Sequence, residues 1–202
     1  MGNEITANGG GTLGGGVFIE NTSNATLVNN VVADNWLSHG SGPGIGVAED
    51  SVVRLLHTTV ARNRGGGGQG IYAVANSSLW ITNTILVSHT VGIEMDSGTA
   101  TLNATLWGDG AWANGTDWAG AGTIVTGTAN WWGDPQFVNP GGGDYRIGLG
   151  SAALDVGVFI PWIDEDLDGN PRPDCAASDL GAHELQGQAC WHVCLPLALR
   201  DN

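Results

Sequence analysis

The chain has 202 residues, of which 42% are hydrophobic, so it is long enough for one domain with a hydrophobic interior and too apolar to be disordered. Its formal net charge of −14 argues against nucleic acid as a partner, because a phosphate backbone requires a basic stripe, and against an anionic membrane surface. The apolar run 193–199 contains Pro196 and is too short to span a bilayer, so we expect no membrane insertion.

Two series of short motifs repeat along the first half of the chain and keep step with each other. The first series begins with glycine: Gly16–Ile19, Gly44–Val47, Gly70–Ala73 and Gly92–Met95. The second series alternates its residues around a central position: Val28–Val32, Leu56–Val60, Ile81–Ile85 and Leu102–Leu106. A period of two predicts strands in both series, and the Asn, Gly, Ser and Thr clusters between them predict turns.

Short strands that recur in this way cannot enclose a core within one repeat, so each repeat must stack on the next with strands about 4.8 Å apart. The sequence therefore predicts an all-β fold, a right-handed parallel β-helix that forms a single-stranded solenoid of about five to seven coils. An antiparallel sandwich is the alternative, but it is not expected to keep two motif series in step. We assign residues 1–186 to the β-helix and residues 187–202 to a tail docked on the last coil.

Polar residues at the centre of the second series predict a hydrogen-bonded ladder along the solenoid axis. Asn30, Thr58 and Asn83 occupy one equivalent position in the repeats, where stacked polar side chains can bond to one another. The first 16 residues are too rich in glycine to form an obvious cap. Either residues precede them or another copy covers this end, which predicts an end-to-end or side-by-side homo-oligomer.

Five short motifs mark the region from residue 130 to residue 186: Asp134–Val138, Gly143–Ile147, Gly150–Gly157, Asp168–Arg172 and Asp179–Glu184. Together they resemble the last coil and the terminal strand pair of bacterial surface β-helix proteins, the choice-of-anchor Q group. The resemblance implies an extracellular or cell-surface location but no catalytic residues. His183 stands where that group more often has an aromatic residue, no sorting signal follows, and no signal peptide is visible in the chain.

Three cysteines, Cys175, Cys190 and Cys194, lie near the C-terminus. An odd number leaves at least one thiol outside any intramolecular disulfide, and one disulfide is expected in an oxidising compartment, with its pairing open. A metal site that uses His183 and His192 fits no zinc spacing.

The alternation in the fourth repeat predicts a pair of outward carboxylates. If Ile93 and Met95 point inward, Glu94 and Asp96 point outward about 6.6 Å apart along the strand, with Tyr72 beside Glu94 on the preceding coil. This separation is compatible with inverting glycosidases, in which an acid and a base lie about 6.5–9.5 Å apart. The same carboxylates can bind calcium, or simply keep the surface solvated.

A loop that follows the fourth repeat is rich in tryptophan. Residues 107–132 contain five of the nine tryptophans, together with two aspartates: Trp107, Asp109, Trp112, Asp117, Trp118, Trp131 and Trp132. Indole rings stack on the apolar faces of sugars, and carboxylates accept hydroxyl protons, so this loop is a candidate glycan-binding site. The alternative is that the tryptophans pack the loop onto the coil as core.

An acidic turn at Asp164, Asp166 and Asp168 matches the first half of a calcium loop, with Gly169 at the bend. The second half does not match, because position twelve is Cys175 rather than glutamate. The alternative to a calcium site is a turn of the terminal strand pair. No other cofactor is predicted.

Together these features favour an extracellular or cell-surface β-helix that binds a polysaccharide or surface glycan, or mediates adhesion. The alternative is a small carbohydrate-active enzyme, a glycoside hydrolase or polysaccharide lyase, in which Glu94 and Asp96 supply acid and base. A structural surface spacer is the third hypothesis.

Overall fold

The computed structural model describes residues 2–187. These residues form nineteen short strands and two 3-10 turns: β1 (Glu4–Thr6), β2 (Gly9–Gly10), β3 (Val17–Ile19), β4 (Asn24–Val28), β5 (Val31–Ala33), β6 (Trp36–Leu37), β7 (Ile45–Val47), β8 (Val52–Leu56), β9 (Thr59–Ala61), β10 (Arg64–Gly65), β11 (Gln69–Ala73), β12 (Ser78–Val87), β13 (Val91–Met95), β14 (Thr99–Gly108), η1 (Gly110–Trp112), β15 (Thr116–Ala119), β16 (Thr123–Thr126), β17 (Trp131–Gly133), β18 (Phe137–Asn139), η2 (Pro140–Gly142) and β19 (Asp144–Ile147). None of the described residues belongs to a helix with the length and hydropathy needed to cross a bilayer.

The strands up to β17 stack in parallel as about five coils of a β-helix, so the predicted fold class is confirmed. The glycine-led strands pair in the order β3, β7, β11, β13, β15. Their register aligns Phe18 with Gly46, Gly46 with Tyr72, and Tyr72 with Glu94. This is the register that the glycine series predicts, because the same alternation selects both the inward side chains and the hydrogen-bonded partners.

The second predicted register is correct between the first two coils and wrong at the third. Val32 pairs with Val60, as predicted, but Val60 pairs with Leu86 rather than Ile85. Asn83 adopts the left-handed conformation (φ 53°) that Asn29 and His57 adopt at the same corner of the preceding coils. Asn83 therefore lies beside His57, to which its amide nitrogen approaches within 2.8 Å, and not in the row of Asn30 and Thr58. Beyond this corner Ile85, Leu86 and Val87 are all buried, so alternation alone does not reveal which of them points inward.

The alternation beyond this corner divides the apolar residues between two clusters. The interior of the solenoid contains Leu86 and Trp107, whereas Ile85 and Leu106 point outward. The outward residues are nevertheless fully buried, because residues 134–185 run along the outside of the coils and cover them. Chain segments from Asp134 onward thus form no further parallel coil within the described residues; β18 and β19 pair antiparallel. The predicted docked tail falls, from residue 188, outside the described residues.

The main polar ladder lies at a different corner from the predicted one. The Asn8 amide donates to Asn35 Oδ1 at 3.0 Å, and the Asn35 amide donates to Asn63 Oδ1 at 2.9 Å. Asn63 Nδ2 then lies 3.2 Å from His89 Nε2, and the His89 backbone N–H donates to Asn114 Oδ1. Each of these side chains forms hydrogen bonds to a neighbouring coil, so the ladder stabilises the register between coils.

Candidate functional site

The predicted carboxylate pair lies on the outer face of the glycine-led sheet. Ile93 and Met95 are fully buried, as inward residues should be, and Asp96 is exposed, with Glu94 half-buried. The Tyr72 hydroxyl donates to Asp96 Oδ2 at 2.6 Å, and the Gln69 amide donates to Glu94 Oε2 at 2.6 Å. Each carboxylate therefore has one fixed donor and keeps lone pairs for a ligand.

Burial and the hydrogen bond to Asp96 raise the pKa of Tyr72 to about 12. The phenol therefore stays protonated at neutral pH and donates to the carboxylate. Tyr72 thus positions Asp96 as a hydrogen-bond acceptor on an open surface. A carboxylate held in this way is suited to accept a sugar hydroxyl, and with Glu94 it provides two acidic groups on one face.

The tryptophan loop divides into core and surface residues. Trp107 is fully buried in the solenoid interior. Trp112 packs edge-on against Phe137, with the ring centroids 5.0 Å apart, beneath the C-terminal segment. Asp109 accepts a hydrogen bond from the Gly110 N–H and begins η1. Trp107 and Trp112 therefore contribute to packing, as the core alternative describes, whereas Asp109 is exposed and caps its own turn. Their role in ligand binding stays a prediction.

A pocket of about 390 Å³, which we call the end pocket, lies at the last coil. Trp118 and Trp132 line it, and Trp107 contributes to its wall. Trp132 pairs in register with Trp107, so its indole continues the inward row one coil further and stands 57% exposed. Asp117 accepts the Trp132 indole N–H at 2.9 Å and so holds the ring in place.

Two polar groups next to residues of the end pocket keep unused bonding capacity. Asp117 accepts one bond at each carboxylate oxygen, from the Asn114 amide and from Trp132, which leaves lone pairs for hydroxyl donors. The buried indole N–H of Trp107 finds no acceptor among residues 2–187. An apolar wall with a few such polar groups is typical of a site for a small ring-shaped ligand.

The predicted calcium turn is held by hydrogen bonds of its own. Asp166 accepts from the backbone N–H groups of Asp168, Asn170 and Glu184, as well as from the Asn170 amide. Asp168 forms a bidentate pair with Arg146 at 2.9 and 3.0 Å. Asp164 lies apart, whereas oxygens of Asp166 and Asp168 come within 4.8 Å of a His183 nitrogen. These contacts hold the turn, and the ligand atoms of Asp166, Asp168 and His183 lie close enough together to hold a cation. The calcium site stays a prediction.

A buried charged cluster escaped the sequence analysis. The Arg172 guanidinium lies 3.2 Å from Glu184 and 2.5 Å from His57 Nδ1, and it donates to the carbonyl oxygens of Asp179 and Gly181. His57 belongs to the second coil, whereas the other four residues belong to the C-terminal segment. The cluster therefore joins that segment to the solenoid, as a latch.

The environment of the latch shifts the pKa values of its members. Burial lowers the pKa of His57 to about 2, with Arg172 adding to the effect, so the imidazole is neutral. Burial and the nearby Asp179 raise the pKa of Glu184 to about 7, although Arg172 lies beside it. Burial likewise raises the pKa of Asp179 to about 6. Because these groups bond to one another across the boundary between the second coil and the C-terminal segment, we assign the cluster a structural role.

One cysteine can be placed. Cys175 is disulfide-bonded, whereas Cys190 and Cys194 lie outside the described residues. The expectation of a disulfide is therefore met at Cys175.

Comparison with known proteins identifies the family of this chain. No curated protein matches the chain, and no solved structure does. A family model described as a right handed beta helix region matches residues 1–106, more than half of the chain. The match ends within β14, so it covers the first four coils, including the Tyr72 and Glu94 row. The chain therefore belongs to the right-handed β-helix family.

Proposed function

We propose that this β-helix is an extracellular or cell-surface domain that binds carbohydrate through the end pocket. The observation that carries the proposal is the pairing of the exposed Trp132 ring with Asp117. A fixed indole offers a flat face for the C–H groups of a sugar, and the carboxylate beside it accepts hydroxyl protons. Trp118 forms a second aromatic wall, edge-on to Trp107 with the ring centroids 5.5 Å apart.

Two further features support the proposed location. Disulfides persist in oxidising compartments outside the cytosol, and Cys175 is disulfide-bonded. The motifs in residues 130–186 resemble the closing segment of bacterial surface β-helix proteins. The high negative charge, −14 overall, is compatible with a soluble exposed domain and with a polar, uncharged ligand.

The experiment is a glycan panel with the purified protein, read out by retention and by quenching of tryptophan fluorescence. Trp132→Ala and Asp117→Asn should weaken binding of a retained glycan by about tenfold or more. Trp131→Ala is the matched control, because the neighbouring Trp131 is also exposed but pairs with the outward Leu106 and faces away from the pocket. Equal losses in Trp131→Ala and Trp132→Ala would refute the site.

A second candidate function is glycan cleavage by the outer face that carries Tyr72, Glu94 and Asp96. The specific observation is that two donors, Gln69 and Tyr72, hold the two carboxylates at 2.6 Å each. One carboxyl group would protonate the leaving oxygen and the other would activate water, or remove a proton in a lyase reaction.

Incubation with polysaccharides and aryl glycosides, with and without a chelator, distinguishes the two functions. New reducing ends or unsaturated products that disappear in Glu94→Gln would establish the enzyme, and chelator sensitivity would indicate calcium. Glu20→Gln is the control, because Glu20 is an exposed carboxylate on the same face in the first coil. Retention without turnover favours the binding domain, and neither retention nor turnover favours a structural spacer.

A further inference from the structure

A third, short sheet projects from one side of the first three coils. It consists of β2, β6 and β10, and its register places Trp36 between Gly9 and Arg64. Leu37 is buried, so Trp36 and Arg64, which occupy the alternate positions, point to the opposite, exposed face of this sheet. The fourth coil passes directly from Ser88 to Val91 without such a strand. This short sheet is therefore a feature of the first three coils that the fourth coil lacks.

Gly9 holds the Trp36 ring against the first coil. A Cβ atom at Gly9 would lie 2.6–2.8 Å from three atoms of the Trp36 indole, so the ring covers the glycine backbone directly. The ring remains 46% exposed. A tryptophan fixed in this way loses little conformational entropy when a flat ligand stacks on it.

The same side of the molecule carries two arginines with unused donors. Arg62 donates from Nε to Asp34 Oδ1 at 3.1 Å, and the Tyr145 hydroxyl occupies Asp34 Oδ2 at 2.5 Å. Both oxygens of Asp34 are thus engaged, whereas the terminal nitrogens of Arg62 have no hydrogen-bond partner within residues 2–187. Arg64 is exposed, and its guanidinium has no hydrogen-bond or ion-pair partner within residues 2–187.

Trp36, Arg62 and Arg64 line one groove of about 500 Å³. Asp34 is the acidic residue in its lining, so two positive charges face one negative charge, in a chain whose net charge is −14. The opposite wall is the backbone of Gly141–Gly143, which adds no side chain to obstruct entry. A local excess of positive charge in an acidic protein selects an anionic ligand.

We propose that this groove binds an acidic sugar, a ring that carries a carboxylate. The guanidinium of Arg64 matches a carboxylate with two parallel hydrogen bonds, and the Trp36 ring stacks on the apolar face of the same sugar. A neutral sugar would leave Arg64 unpaired, and a small inorganic anion would not use Trp36. The site is separate from the end pocket and goes beyond the function proposed for it.

The test is a calorimetric titration of the full chain with an oligomer of a uronic acid, and with the neutral hexose oligomer of the same linkage. We expect the uronic acid oligomer to bind at least about tenfold more tightly than the neutral one. Arg64→Gln and Trp36→Ala should each remove about tenfold or more of that affinity, and Trp132→Ala should leave it unchanged. Raising the salt concentration should weaken binding.

Arg54→Gln is the matched control for charge. Arg54 also lies beside a tryptophan, 5.1 Å from the Trp80 ring centroid, but it is engaged there and donates to Asn24 at 3.0 Å. Arg54→Gln should therefore change the affinity by less than about twofold. Equal effects of Arg54→Gln and Arg64→Gln, equal binding of the neutral oligomer, or complete competition by inorganic phosphate would each overturn the proposal. Thermal unfolding of every variant identifies those that fail to fold. If Arg64→Gln is one of them, Arg64→Lys replaces it.

Discussion

The guanidinium of Arg172 lies 3.2 Å from the carboxylate of Glu184, and both side chains are almost completely shielded from solvent. Such a pair contributes little net stability when intact, because desolvation offsets the attraction. The loss of one partner is nevertheless costly, since it leaves a buried charge without compensation. The pair therefore makes the attachment of the C-terminal segment sensitive to single substitutions.

Arg172→Met should destabilise the protein by about 3–5 kcal/mol. Arg146→Met is the control, because Arg146 pairs with Asp144 and Asp168 at an exposed position, where such pairs contribute about 0–1 kcal/mol. Chemical denaturation measures both. Hydrogen exchange should also increase in the segment that covers Ile85 and Leu106; unchanged exchange there would show that the latch does not hold it.

His89→Asn should reduce the sensitivity of the protein to acid. Burial lowers the pKa of His89 to about 3, so the unfolded chain takes up a proton below pH 6.5 that the folded protein does not. Stability attributable to His89 is thus present above pH 6.5 and falls by up to about 1.4 kcal/mol per pH unit as the pH drops toward 3. Asn occupies the same ladder position in neighbouring coils, at Asn63 and Asn114.

Wild type must be compared with His89→Asn because other groups change the stability of the protein with pH in the opposite direction to His89. Because the pKa values of Glu184 and Asp179 are raised in the folded protein, these two groups stabilise the fold below about pH 4. This stabilisation is lost as the pH rises through 6 to 7. Thermal unfolding of wild type and His89→Asn between pH 7 and pH 4 isolates the His89 contribution. If the stability of the two proteins changed with pH in the same way, His89 would not be a source of the acid sensitivity.

Gly44→Ala should destabilise the solenoid strongly. A Cβ atom at Gly44 would lie 2.3 Å from the Gly70 carbonyl oxygen and 2.9 Å from Asn63 Nδ2, and neither the next coil nor the ladder can move away without losing hydrogen bonds. We expect a cost of about 2 kcal/mol or more. Gly11→Ala meets no atom within 4 Å, so its melting temperature should stay close to that of wild type.

Trp107→Ala should cost about 3–5 kcal/mol, because it empties a large volume in the solenoid interior. Trp131→Ala removes the same side chain from an exposed position and should cost less than about 1 kcal/mol. Equilibrium denaturation of the two variants separates a core role of Trp107 from a ligand-binding role. Full stability of Trp107→Ala would contradict the core role of Trp107.

The parallel stacking and the row through Tyr72 and Glu94 were predictable because one alternation determines both the buried side and the strand register. The register at Ile85 was not, since Ile85, Leu86 and Val87 are all buried and alternation does not distinguish the residue that points into the solenoid from those that the C-terminal segment covers. The Asn8, Asn35 and Asn63 ladder has a signal in the sequence, because these asparagines recur at separations of 27 and 28 residues, close to the spacing of the first glycine-led motifs.

The candidate sites were only partly predictable for a related reason. A tryptophan-rich loop shows that indoles are present but not which face of the strand each occupies, so Trp107 and Trp132 look equivalent in the sequence. Arg172 and His57 are distant in the chain and belong to no repeat, so nothing in the sequence pairs them. Trp36 and Arg64 lie in a strand pair outside both motif series, and only the stacked coils bring them together.

The short sheet of β2, β6 and β10 also indicates where this β-helix can accept inserted residues. The chain takes different lengths of sequence to return from Val31 to Ile45, from Thr59 to Ile71 and from Ile85 to Ile93, whereas the opposite side of each coil is nearly constant. New peptide sequence inserted between Gly66 and Gly67 should therefore be accommodated without shifting the inner ladder. That position is a natural place to display foreign epitopes on a rigid rod.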